Sequence, residues 1–184
     1  MYRYIISLVM LTSMLFGVST VYANENLTPL EQIIRKSRPR LDKVVITAVA
    51  DAIYHYSAIH NLNPNLVAAV IWAESRFKPS ATGKKGEIGL MQIRYGVWKE
   101  SSILKDNGVS AKDKLYWIDK NVACGTKILT KYLEYAKGDI VKALYRYNTG
   151  KPQLPAGLER HQFRYVNTVL IRMYEITEHI RLNQ

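Results

Sequence analysis

Residues 63 to 92 read NPNLVAAVIWAESRFKPSATGKKGEIGLMQ, passing from unbroken hydrophobicity to a glycine-punctuated loop across a single carboxylate. Asn63 is suited to cap a helix, and Pro64 falls at the first helical position, where its missing N–H costs nothing. Every residue from Leu66 to Ala73 is apolar, and a helix apolar on all sides has to be surrounded by protein. The pattern therefore predicts a buried helix that bears one acid, Glu74, in its last turn. Pro79 and the glycines at 83, 86 and 89 follow, and they let the backbone turn sharply or run close to a ligand.

A carboxyl group at that position is costly to ionise. Desolvation raises its pKa, and the partial negative charge of a helix C-terminus acts in the same direction. Two readings fit the residues alone. Glu74 is a proton donor poised near neutral pH, or it is a structural carboxylate held by Arg76 or by backbone donors of the glycine loop.

Upstream, Val45, Ala48, Val49, Ala52, Ile53, Tyr56 and Ile59 recur at spacings of three and four, which predicts an amphipathic helix over 42–60. Downstream, a short helical piece near 91–98 leads into a polar connection through Asn107-Gly108. Helical spacing returns over 121–135, 139–147 and 161–181, and the proline and glycine content of 149–157 marks a loop. The fold class is mainly α, as one domain over 42–184. Residues 24–41, polar and holding Pro29 and Pro39, are expected to be a loose leader.

Residues 1–23 read as a secretory signal peptide: Arg3 precedes an apolar run from Ile5 to Val18, and Val21-Tyr22-Ala23 offers small residues for cleavage. That run is short for a bilayer span of roughly 20 residues, and no later stretch is long and apolar enough. A periplasmic or secreted protein with no stable membrane span is expected. The remainder fits one domain that buries roughly 70% of its unfolded surface. With one cysteine, Cys124, no internal disulfide can form, and its apolar surroundings suggest a buried thiol.

The formal net charge is +11. Such an excess favours polyanions, but export and the scattered placement of the basic residues argue against nucleic acid as partner. A basic face that approaches an acidic wall polymer fits better, with solubility alone as the plain alternative. The four histidines include no i,i+4 pair, and neither a Cys/His ligand spacing nor a phosphate-binding glycine loop is present, so no metal and no cofactor is expected.

Four motifs then point to a family. Glu74-Ser75, Gly89-Leu90-Met91-Gln92, the segment Ala143-Leu144-Tyr145-Arg146-Tyr147-Asn148-Thr149-Gly150 and the late Tyr165-Val166 resemble, in order, the motifs of soluble lytic transglycosylases of the lysozyme-like superfamily. The resemblance covers about residues 50 to 175. It implies a lysozyme-like domain with a glycine-rich loop region beside the catalytic helix. It further implies cleavage of the bond between N-acetylmuramic acid and N-acetylglucosamine by one glutamate, Glu74, leaving 1,6-anhydromuramoyl ends.

Further site residues follow from the same resemblance. Gln92, Met91, Tyr147, Asn148 and Tyr165 are expected to bind substrate, and Ser75 and Gly89 to support the site. From residue type alone Met91 is either core filling or cleft wall, and Tyr147 and Asn148 pass equally as core tyrosine and helix cap. Glu87 is a second carboxylate; placed across the cleft it would favour hydrolysis of a lysozyme kind. Arg94, where relatives often have methionine, and the lack of an acid just before Tyr165 depart from the family pattern and bear on substrate contacts. The chain is expected to be a monomer acting on peptidoglycan glycan strands. It resembles the small specialised transglycosylases that serve secretion, pilus or conjugation machinery. A hydrolytic muramidase and a glycan-binding assembly factor with little turnover are the alternatives.

Overall fold

The computed structural model describes residues 27–154 and 163–183. The expected signal peptide over 1–23 and part of the 149–157 loop lie outside the described residues.

The first helix, α1 (Pro29–Ser37), corrects the expectation of a loose leader. Thr28 and Glu31 form a reciprocal capping box, Pro29 takes the first helical position, and Leu30, Ile33 and Ile34 are buried in the main core. Both prolines sit at the ends of this helix, where proline is tolerated, so their presence does not exclude it. Helix α2 (Lys43–Ile59) follows with Asp42 as its cap, matching the predicted span within a residue or two. The chain then turns through Asn61 in the left-handed region, φ 51°.

Helix α3 (Pro64–Ser75) is the buried helix the sequence predicts. Asn63 accepts from the Asn65 N–H at 2.8 Å, and Val67 to Ile71 have no exposed surface. Its end is unusual. Arg76 and Phe77 both have positive φ, 53° and 59°, a conformation costly for side chains of this size. Two anchors hold it: the Phe77 ring is fully buried, and Arg38, just past α1, donates from Nε to the Arg76 carbonyl (2.9 Å) and from Nη2 to the Ser75 carbonyl (3.2 Å). The supposed leader thus supplies the cap for carbonyls that the end of α3 leaves unpaired.

The glycine loop closes into a hairpin that the helical reading of 91–98 did not foresee. Strands β1 (Glu87–Ile88) and β2 (Ile93–Arg94) pair antiparallel, Glu87 opposite Arg94 and Ile88 opposite Ile93. Only then does helix begin, as the single turn α4 (Tyr95–Trp98). The connection beyond is better packed than its polarity suggests. It contains α5 (Ser102–Asp106) and a 3₁₀ turn over Lys112–Tyr116, and Ile103, Leu104, Val109 and Leu115 are buried.

Three helices complete the domain: α6 (Ile118–Tyr135), α7 (Ile140–Thr149), capped by Asp139 and ended by Gly150 at φ 72°, and α8 (Arg164–Leu182). Helix α3 packs most extensively against α8, while α6 joins α2 and α7. Cys124 on α6 is fully buried against the Ile103 carbonyl, and burial pushes its thiol up to about 12, which leaves it inert. Among the described residues no helix is long and apolar enough to cross a membrane.

Candidate active site

The last turn of α3 brings Glu74 to a cleft of about 560 Å³ between the hairpin, α4, α6 and the end of α7. Glu87, Gln92, Trp98, Tyr132, Tyr147 and Asn148 share its lining. The Glu74 carboxyl is mostly enclosed, and burial is the main reason its pKa rises to about 7. The Tyr165 hydroxyl, donating to Oε1 at 2.6 Å, opposes that rise, and the negative charge of Glu87 adds to it. Arg76 does not pair with Glu74; its guanidinium lies 3.6 Å over the Trp72 ring. An acid with a pKa near neutrality in a cleft is equipped both to give and to take a proton.

Two phenols complete the acid's surroundings. Burial and the nearby Glu74 charge push the hydroxyls of both Tyr147 and Tyr165 well above the usual tyrosine range, so each remains a protonated donor. They play different parts. Tyr165 binds Glu74 itself, whereas Tyr147 donates to the Met91 carbonyl at 2.9 Å and fixes the hairpin turn beside the acid.

Met91 is therefore not a cleft wall. Its side chain has no exposed surface and packs on Gly125 of α6, so closely that a Cβ at Gly125 would come within 2.6 Å of the Met91 Cβ. The expectation that it contacts substrate is corrected: helical packing claims the thioether, and the backbone carbonyl does the positioning. Gln92, at φ 48°, directs Nε2 to the carbonyls of Gly89 (2.8 Å) and Ala81 (3.4 Å). Its Oε1 has no hydrogen-bond partner among the described residues and lies beside Gly83 of the glycine loop, while the residue as a whole lines the cleft. Asn148 is exposed at the cleft edge in the last turn of α7; the helix cap is Gly150, two residues on. Ser75 is buried and donates to the Ile71 carbonyl at 3.1 Å, a bond within the helix.

One supporting residue was not foreseen from sequence. Asn121, 1% exposed, donates from Nδ2 to the carbonyls of Ile88 (2.9 Å) and Leu115 (2.7 Å) and accepts from the Met91 N–H (2.7 Å). It ties the hairpin turn to α6. Gly89, at φ 77°, lies against it, and a Cβ there would strike the Asn121 amide and the Leu115 carbonyl. A polar residue within an otherwise helical, half-apolar pattern was the only signal, and it reads equally well as solvent-facing.

Glu87 lines the same cleft from β1, but its Oε2 accepts from the Lys85 N–H at 2.8 Å, folded back onto its own turn. Among the described residues no three His, Cys, Asp or Glu side chains cluster as metal ligands do.

The transglycosylase SLT domain matches residues 51–164, a span that runs from within α2 through the cleft to the start of α8. The chain belongs to this family. Its structure is also similar to lytic transglycosylase Slt from Pseudomonas aeruginosa, solved as an inactive mutant in which one glutamate is replaced by glutamine. The TM-score is 0.62 at 20% sequence identity, over 72% of this chain and 24% of that one. The likeness shows a shared lysozyme-like fold, and the chain spans about a quarter of the length of that protein. The matched span thus brings Glu74, Gln92, Tyr147 and Asn148 to one cleft, with Met91, Asn121 and Gly89 as its internal frame, and Tyr165, one residue past the match, reaches Glu74 from α8.

Proposed function

We propose that this SLT domain is a peptidoglycan lytic transglycosylase that cleaves the β-1,4 bond between N-acetylmuramic acid and N-acetylglucosamine. The observation that supports it most directly is Glu74, a cleft acid poised at about 7 with a tyrosine hydroxyl as its donor. Protonated Glu74 gives its proton to the glycosidic oxygen as the C1–O bond breaks. The carboxylate so formed takes the proton of the muramic acid C6 hydroxyl, whose oxygen bonds to C1. The products are a free 4-hydroxyl and a 1,6-anhydro ring, and Glu74 regains its proton. The attacking hydroxyl belongs to the same sugar, which gives it a large entropic advantage over a diffusing water. Tyr165 stabilises the ionised intermediate state of the acid, and Tyr147 holds the Met91-Gln92 turn that brings Gln92 to the cleft.

Glu87 favours a second reading. It shares the cleft and acts on Glu74 electrostatically, so a water held between two carboxylates would give hydrolysis instead. Its bond to the Lys85 amide weighs for the first reading, because it occupies one carboxylate oxygen in a structural turn. Mass spectrometry of fragments released from purified peptidoglycan separates the two. Anhydro ends are expected, with release falling by orders of magnitude in Glu74→Gln; reducing ends would establish the hydrolase.

The sequence pattern of residues 1–23 supports action in the periplasm or outside the cell. Local opening of the wall for a secretion, pilus or conjugation apparatus is the biological setting that the family resemblance suggests.

A further inference from the structure

Trp72 and Glu74 lie two residues apart on α3, hence nearly opposite one another around the helix at about 100° per residue. Behind Trp72 is a second concavity, of about 730 Å³, between the end of α1, the end of α3 and α8. Lys36, Arg38, Arg76 and Arg172 line it, against a single carboxylate, Glu175, which already pairs with Arg172 at 2.8 Å. A neighbouring hollow of about 420 Å³ shares Ser37 and Arg38 with it and adds Arg40 and Lys78. The two adjoin at Ser37 and Arg38, and together they make a trough whose lining is dominated by positive charge. Lys36, Arg40 and Lys78 are exposed and have no ion pair among the described residues.

The chemistry of the trough narrows its occupant. The indole of Trp72 is 9% exposed and has the guanidiniums of Arg76 and Arg172 each 3.6 Å from its ring centroid, so it offers no open face to a sugar or a base. A concave surface suits a flat bilayer poorly. Cations spread along a trough, rather than gathered at one point, match carboxylates spaced along a chain. We propose that this trough docks an acidic segment of a partner protein, on the face of α3 away from the glycan cleft. The proposal does not depend on the chemistry assigned to Glu74.

A labelled hexaglutamate peptide, titrated with the full chain and followed by fluorescence anisotropy, tests it. The wild type is expected to bind with an affinity that weakens as salt is raised, and the triple variant Lys36→Glu, Arg40→Glu, Lys78→Glu to bind on the order of tenfold more weakly or worse. A matched control, Lys105→Glu, Lys112→Glu, Lys127→Glu, changes net charge equally on exposed positions elsewhere and should retain binding. All six residues are exposed, and circular dichroism checks that both variants fold. No binding by the wild type, or equal loss in the control, would overturn the proposal. So would tighter binding of duplex DNA or phosphatidylglycerol vesicles through the same three side chains.

Discussion

The Tyr165 hydroxyl donates to Glu74 Oε1 at 2.6 Å, joining the first turn of α8 to the last turn of α3 across 91 residues of sequence. The bond favours the ionised carboxylate, so it restrains a pKa that burial alone would raise further. Tyr165→Phe should therefore keep Glu74 protonated to higher pH. The alkaline limb of the kcat/KM profile on peptidoglycan is expected to move upward by about one unit or more, since a hydrogen bond to a charged group is worth about 1.5–3 kcal/mol. Turnover should fall at the same time because the carboxylate intermediate loses its donor. An unmoved limb would mean that Tyr165 only fills space.

Glu87→Gln acts in the opposite direction. The charge of Glu87 raises the Glu74 pKa, so its removal should lower it and shift the alkaline limb down. If Glu87 is only an electrostatic neighbour, anhydro products persist and kcat changes by several-fold at most. Loss of activity on the scale of Glu74→Gln would instead make Glu87 a second catalytic carboxylate. The paired shifts of Tyr165→Phe and Glu87→Gln, upward and downward, test the electrostatics of the acid independently of its rate.

Much of this site was legible in the sequence because its chemistry coincides with strong local patterns. An eight-residue apolar run that ends in one acid reads as a buried helix whatever surrounds it, and Glu74 stands out for that reason. What stayed hidden depends on contacts between distant segments. The partner of Tyr165 could not be read from α8 alone, nor could Asn121 be seen to bind three backbone groups of the hairpin and its neighbour. The polar composition of 24–41 pointed to a loose leader, while its capping box and buried Leu30, Ile33 and Ile34 were the local signals of a helix. Met91 was ambiguous for the same reason: one side chain can face a cleft or a core at identical spacing, and Gly125, which makes room for it, lies on another helix.

Gly125 supplies a prediction in which packing overrides propensity. Glycine within an exposed helix costs about 1 kcal/mol relative to alanine, so Gly125→Ala would ordinarily stabilise α6. Here the added methyl would meet the Met91 side chain, including Cβ at 2.6 Å and Cγ at 2.9 Å, atoms close to the backbone that cannot simply swing away. The substitution should destabilise the domain by about 1–3 kcal/mol and shift the turn bearing Gln92 and the carbonyl that holds Tyr147. Chemical denaturation gives the sign, and a loss of activity greater than the loss of folded protein would show that the turn has moved.

Glu74 should weaken the fold it serves, in a way set by pH. Its carboxyl titrates at about 7 in the folded protein against an ordinary value of 4.5. Below 4.5 both states hold the proton and the group contributes nothing. Between 4.5 and about 7 the unfolded chain releases a proton that the folded chain retains, so the unfolded state binds fewer protons and stability falls as pH rises. Above about 7 the cost is complete, on the order of 3 kcal/mol for a shift of this size. Glutamine has the same shape and no proton to lose. The stability of Glu74→Gln relative to wild type, measured by urea denaturation, should therefore grow between about pH 4 and about pH 8 and then level off. A gap that stays constant over that interval would mean the carboxyl is not desolvated in the cleft, and the basis for its role as proton donor would be lost.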